Sequence, residues 1–227
     1  MAGRTSLRRQ LERSRSFMGA SASYLATQQV SKLHLGAGTN VLDGWLNTDV
    51  APATPDVHFL DTTRRFPLED ATFDYVMSEH HIEHLSYADG LHTLRECHRV
   101  LRPGGRLRVA TPDLEVLLGL YADASGELPR RYLRFITDRF LPEVRTYSPV
   151  FVINNAFHNW GHRFLYDRAT LQDAMGQAGF VGIAMAAPGA SQDEHLRGVD
   201  GHGEFIDDEE LNRFETMVLE GERAADG

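Results

Sequence analysis

Three imidazoles, His80, His158 and His162, stand where this chain could take a proton from a bound hydroxyl. An unperturbed histidine titrates near pH ~6.5, so at neutral pH it can accept a proton and return it. His80 follows the apolar run FDYVMSE, while His158 and His162 flank Trp160 in the phrase FHNWGHRFLYD. His81 and His84 open a stretch of helical pattern, where packing or capping is the ordinary role of an imidazole. The same spacing admits a cation. His80 and His84 lie one helical turn apart, as do His158 and His162 if helical, and zinc sites use such pairs. No H-E-x-x-H order or paired cysteine accompanies them, so the ligands of any metal stay unknown. Mg2+ held loosely by Asp113, Glu79 or an acceptor's hydroxyls is the other reading.

A nucleotide pocket is the second chemistry on offer. From Leu33 to Asp49 the chain reads LHLGAGTNVLDGWLNTD. Lys32 to Leu35 has the look of a short strand, and Gly36-Ala37-Gly38 of a turn whose backbone can lie against a ligand. Asp49 ends the next strand, where a carboxylate can accept both hydroxyls of a ribose. Val41 stands in place of the third glycine of the dinucleotide fingerprint, which disfavours NAD or FAD and an oxidoreductase. Thr39 to Gly44 is too short for a full crossover helix before the strand at Trp45 to Val50.

These residues need a scaffold that gathers them. Val57 to Leu60 and Phe73 to Ser78 are apolar-rich strands, and Tyr87 to Leu101 has helical spacing. Arg102-Pro103-Gly104-Gly105 stops that helix, and Arg106 to Ala110 begins another strand. Such alternation builds a parallel sheet with covering helices, whose ligands sit at the carboxyl ends of the strands. Asp49, Asp61, Ser78-Glu79-His80 and Thr111-Pro112-Asp113 all fall at those ends.

Bulk properties set outer limits. With 227 residues, 42% hydrophobic and 24% charged, the chain suits one globular domain with appendages. A net charge of -9 argues against general nucleic-acid binding. Cys97 is the one cysteine, which rules out an internal disulfide and fits a reducing cytoplasm. No apolar run is long enough to span a bilayer, so a soluble, cytoplasmic protein is expected.

Taken as a set, LHLGAGTN, the acid of NTDV, the FLD triplet, FDYVMSEHHIEHL and RVLRPGGRLRVATPD resemble the class I S-adenosylmethionine-dependent methyltransferases, in the branch with a shortened first helix. The likeness is continuous from Lys32 to Asp113, and HRFLYD, TLQDAM and QAGF carry it to Phe180. It implies a Rossmann-like α/β fold with a mostly parallel sheet and helices on both faces. It also implies S-adenosyl-L-methionine as cofactor, with Mg2+ left open. The cofactor site implied is Gly36, Ala37, Gly38, Asp49, Asp61 and Ser78, with the glycine turn under the methionine part, Asp49 on the ribose and Asp61 on the adenine amino group. His34 replaces the acid usual two positions before the first glycine. The chain is also similar to actinobacterial sugar methyltransferases. That implies O-methylation of a sugar or glycoside hydroxyl, down to the anomeric hydroxyl of a methylated mannoside, with a histidine as base. A carboxylate or phenol acceptor, or a non-catalytic cofactor-binding protein of the same fold, are the alternatives.

Around the expected methyltransferase domain at 32–187 lie two appendages. Residues 1–31 read as a basic arm, helical in pattern with little apolar surface, either loosely docked or forming a lid or dimer contact. Residues 188–227 read as a glycine-rich loop that can return over the site, then an acidic helix from Asp207 to Leu219, leaving Val181 to Ala187 as the last strand. An insertion at 114–150 carries the helical phrases LEVLLGLY and RRYLRFITDRFLPEV, with Arg130, Arg131 and Arg134 outward. It either packs on the sheet edge, covers the acceptor or makes a homodimer. Tyr147, Phe151, Phe157, Trp160, Phe164 and Tyr166, interleaved with Asn154, Asn155, Asn159 and Arg163, mix ring faces and amides in a way that suits a saccharide; ordinary core aromatics are the bland reading.

Overall fold

In the computed structural model, which describes residues 2–225, seven strands form one sheet in the order β3-β2-β1-β4-β5-β7-β6. The strands are β1 (Lys32–Leu35), β2 (Leu46–Asp49), β3 (His58–Phe59), β4 (Phe73–Glu79), β5 (Leu101–Pro112), β6 (Phe180–Ala186) and β7 (Thr216–Arg223). β1 to β5 pair in parallel, and β7 lies antiparallel between β5 and β6. The strand order reverses at β1, flanked by β2 and β4, which is where doubly wound sheets open a crevice. The helices are α1 (Ala2–Thr27), α2 (Tyr87–Val100), α3 (Leu114–Ala122), α4 (Glu127–Phe140), α5 (Pro149–His158), α6 (Arg168–Gln177), α7 (His202–Ile206) and α8 (Glu209–Glu215). Among the described residues, no helix is long and apolar enough to cross a membrane.

The shortened link between β1 and β2 is as expected, with no helix in it. Asn47 replaces what a helix would have supplied. Its amide oxygen accepts from Leu42 N at 3.0 Å and its nitrogen donates to the carbonyls of Leu42 and Trp45 at 2.9 and 3.1 Å. Fully buried Leu33, Leu35, Val76, Leu107 and Val109 form the centre of the main core, against Leu94 and Cys97 of α2 and Leu171 and Met175 of α6. A second core joins the insertion to the C-terminal segment through Leu117, Tyr132, Ile136, Val152 and Leu211.

Three stretches differ from the sequence expectation. From Phe17 onward the N-terminal arm is docked, because Phe17 is buried in the main core and Tyr24 Oη both donates to Gly44 O at 3.0 Å and accepts from Lys32 N at 2.7 Å. One buried phenylalanine contributes roughly 1.5–3 kcal/mol, enough to seat this end of the helix. The expected terminal helix ends at Glu215, and Thr216 opens β7, so β6 is not the last strand. Its acidic residues hid this strand: Glu220 is buried, and its Oε1 accepts from the equally buried Arg108 at 2.5 Å. The insertion gains α5, started by Pro149 at its first turn, where a missing N–H costs nothing.

Candidate active site

At the carboxyl end of β1 the backbone turns through Gly36 (φ +69°) and Gly38 (φ +52°), a region that favours glycine. Gly38 N donates to Asp49 Oδ2 at 3.0 Å, and Ala51 N donates to Oδ1 at 2.7 Å, so each carboxylate oxygen keeps a lone pair for a ribose hydroxyl. Ala37 N is spent on Thr48 O at 2.9 Å. The two glycines are needed for different reasons. Space is open where a side chain at Gly38 would point, whereas a Cβ on Gly36 would lie 2.6 Å from the Cβ of His81. Space over Gly38 is therefore open, while Gly36 makes room for an imidazole.

His81 is fixed there by Ser78 Oγ at 3.2 Å from its Nδ1 and Thr62 Oγ1 at 3.0 Å from its Nε2. Burial pulls its pKa down to about 4, so it is neutral. Ser78 is thus engaged with His81 beside the glycine turn. Asp61 Oδ1 accepts from Thr63 N and Thr63 Oγ1 at 3.1 and 2.6 Å, and Oδ2 from Arg64 Nε at 3.0 Å, leaving one lone pair on Oδ2. Partial burial would raise its carboxyl, but Thr63 and Arg64 outweigh it and hold it low. His34, in the position of the usual acid, donates from Nδ1 to Asn47 Oδ1 at 3.1 Å and is pushed by burial to about 4, hence uncharged. Open space over Gly38, with spare lone pairs on Asp49 and Asp61 at the ends of adjacent parallel strands, fits the adenosyl portion of S-adenosyl-L-methionine.

Beyond the ends of β4 and β5 lies a cavity of about 410 Å³. Its walls are His80, with Glu83 and His84 of the 3-10 turn Ile82–His84; Phe135, Ile136 and Phe140 of α4; Trp160 and His162 after α5; His202 and Phe205 of α7; and Glu215 of α8. The C-terminal loop returns over the sheet edge as one reading of the sequence had it. Gly201 N and His202 N donate to the two oxygens of Glu79, each at 3.0 Å, and Asn40 Nδ2 donates to Glu79 Oε2 at 3.0 Å. This binding engages both oxygens of Glu79, and Asp113 caps α3 by accepting from Glu115 N at 2.8 Å through Oδ1.

Charge inside the cavity is ordered. His80 Nε2 lies 3.1 Å from Thr216 Oγ1, whose own proton goes to Asn212 Oδ1 at 3.0 Å, so His80 must be the donor. Its Nδ1 faces Glu83 Oε1 at 3.4 Å. Burial alone would lower the pKa of His80, but the Glu83 carboxylate outweighs it and raises it. Burial would likewise raise Glu83, yet His80 and His84 hold it down at about 2. The Glu83 carboxylate thus favours the charged form of the His80 ring beside it. It stacks face to face on His202 with centroids 3.6 Å apart, and His202 Nε2 lies 3.5 Å from Glu215 Oε1. His162 donates from Nδ1 to Ala156 O at 2.8 Å, which leaves Nε2 with a lone pair; burial lowers its pKa.

Of the three histidines singled out in the sequence, His80 and His162 reach the cavity. His158 stands exposed at the end of α5 and is not among the cavity's lining residues. His84 packs against His162, with ring centroids 5.0 Å apart. The aromatic set divides: Trp160 packs on Phe140 at the cavity, Phe164 and Tyr166 pack with Tyr87 by the main core, and Tyr147, Phe151 and Phe157 are exposed. Glu83, His202 and Glu215 escaped sequence reasoning as site residues. The glycines around His202, in GVDGHGE, were the available signal, since they let the loop reach Glu79.

Residues 33–109 match the family described as a methyltransferase domain. Over 86 residues the chain is 38% identical to an uncharacterized 37.1 kDa protein in transposon TN4556 of Streptomyces fradiae, a match covering 38% of this chain and 22% of that protein. A structure of an S-adenosylmethionine-dependent methyltransferase from Archaeoglobus fulgidus superposes with a TM-score of 0.50 at 15% identity, covering 94% of each chain. One of a protein from Bordetella parapertussis described as possibly exported gives 0.51 at 13% identity, covering 94% of this chain and 68% of that one. Sheet order, parallel pairing and glycine turn define the Rossmann-like class I methyltransferase fold. Within it, residues 33–109 carry the match to a methyltransferase domain.

Proposed function

We propose that this chain methylates a hydroxyl oxygen of a small polyhydroxylated acceptor, a sugar or glycoside by first choice. One observation carries the reading: imidazoles and carboxylates are set among aromatic faces in a cavity at the carboxyl ends of β4 and β5. Bound S-adenosyl-L-methionine supplies an electrophilic methyl carbon on a sulfonium that is its own leaving group. What remains for the chain is to orient the acceptor, exclude water and take one proton.

Phe135, Phe140, Trp160 and Phe205 offer ring faces to the C–H side of a saccharide, and Glu83 with the imidazoles meets its hydroxyls. A phenol is the second reading, because the aromatic walls also suit it. Glu83 favours the charged form of His80, and its Nε2 is engaged with Thr216, which disfavours it as base. His202 fits that role, with Glu215 beside its Nε2 to stabilise the imidazolium that forms. As the new oxygen–methyl bond forms, the hydroxyl proton passes to His202 and the methyl–sulfur bond breaks with its electrons left on sulfur. An anomeric hydroxyl, the most acidic on a sugar, is the position this base serves most easily.

The test is incubation with methyl-labelled cofactor and separate panels of mannosides, other glycosides, carboxylates and phenols. Label in an alkali-stable sugar ether is the expected result. Label confined to an alkali-labile ester or to a phenol ether, or no transfer to any panel by protein that binds S-adenosylhomocysteine, overturns the acceptor assignment.

A further inference from the structure

We propose that Glu83, His84 and His162 bind a divalent first-row transition metal, zinc by first choice, on the wall of the acceptor cavity. One donor atom of each lies within 4.8 Å of the other two. Modest side-chain rotation brings such atoms to the ~2.0–2.2 Å that a shared zinc ion requires.

Three features besides proximity point to a cation. Glu83 is fully buried, and its Oε1 finds no hydrogen-bond partner among the described residues, while Oε2 accepts from Thr111 Oγ1 at 2.9 Å. A carboxylate oxygen removed from water without a hydrogen-bond donor is costly, and a bound cation offsets that cost together with the His80 ring 3.4 Å away. Second, the bond from His162 Nδ1 to Ala156 O sets the tautomer that frees Nε2, the arrangement by which metal-binding imidazoles are oriented. Third, Arg163 N and Phe164 N both donate to Glu83 O, at 2.7 and 3.1 Å, so the loop carrying His162 is pinned to the turn carrying Glu83 and His84.

Two imidazoles and one carboxylate leave coordination positions open toward the cavity, as in catalytic rather than structural sites. Nitrogen donors select against Mg2+, which prefers oxygen. An ion here takes an acceptor hydroxyl as a further ligand and lowers its pKa, favouring acceptors whose neighbouring hydroxyls chelate. That last step rests on the methyl-transfer reading above; metal binding itself does not.

Chelator-stripped full-length protein is titrated with Co2+ and with Zn2+, by visible spectroscopy and calorimetry, and binding of S-adenosylhomocysteine is measured in parallel. One saturable equivalent per chain is expected, with visible cobalt bands and imidazole scattering in the X-ray absorption spectrum of the zinc form. His84→Ala and His162→Ala each weaken binding at least about tenfold, and His58→Ala on β3 leaves it unchanged. No saturable equivalent in folded wild-type protein, equal affinity in both variants, or a zinc spectrum without imidazole overturns the site. Should the variants fail to fold, the wild-type spectrum alone decides. Homocysteine-product binding without metal binding removes the metal site and leaves the methyltransferase reading; the reverse removes the cofactor reading and keeps the metal.

Discussion

The cofactor edge and the acceptor cavity are built by opposite means. Gly36, Gly38, Asp49 and Asp61 come from one short run of chain, and their key bonds are local: Gly38 to Asp49, Asp61 to Thr63 and Arg64. The cavity gathers the end of β4, the insertion, the loop after α5 and the C-terminal segment, and His80 reaches across 136 positions to Thr216. A local site is set by turn chemistry, so it is the same wherever the strand-turn-strand forms. A site assembled from distant segments changes whenever one of them is repacked, which is how one fold serves many acceptors.

If the two regions are separable, variants in one should leave the other alone. Replacing His202 with Ala keeps the backbone bond to Glu79 and removes the proposed base. Turnover should fall by about 10²–10⁴-fold, with S-adenosylhomocysteine affinity nearly unchanged in calorimetry; a matching loss of affinity would mean the regions are one. Gly38→Val fills the open space and strains a positive φ. Affinity for S-adenosylhomocysteine should drop by more than about 100-fold, as expected for a blocked pocket plus ~1–3 kcal/mol of backbone strain, while cobalt binding at the cavity persists. Retained affinity would show that the cofactor does not pass over Gly38.

The smallest effect is on stability. Glu83 titrates at about 2 in the folded chain against an ordinary 4.5, so its stabilisation is complete above about pH 4.5 and is lost as pH falls toward 2. His80 is raised above 6.5, so its share is complete below 6.5 and lost as pH rises through the raised value. Melting temperature should therefore be highest between those limits, and Glu83→Gln should flatten both slopes without touching cofactor affinity. Unchanged slopes in the variant would place the titrating groups elsewhere.

Legibility followed the same divide. Strands β1 to β5, the helix after β4 and the missing crossover helix were readable because alternation, a Pro-Gly-Gly stop and a glycine turn act within a few residues. β7 was not, since its buried Glu220 looks like a solvated charge until Arg108 is found beneath it. Phe17 was one of two aromatics in a basic helix, with nothing local to show that it reaches the core. His158 had slightly better sequence credentials than His162, yet the end of α5 turns its ring to solvent and the following loop turns that of His162 inward.

What the sequence determined by itself is the class of sheet and the glycine turn with its following carboxylates, because φ > 0, strand periodicity and chain-end chemistry are properties of neighbouring residues. Only the tertiary structure decided which imidazoles share a cavity, which of them lies against a buried carboxylate, and that His81 rather than a ligand fills the space at Gly36. Those outcomes depend on burial and on pairings between segments far apart in the chain, and both exist only once the insertion and the last strand have packed.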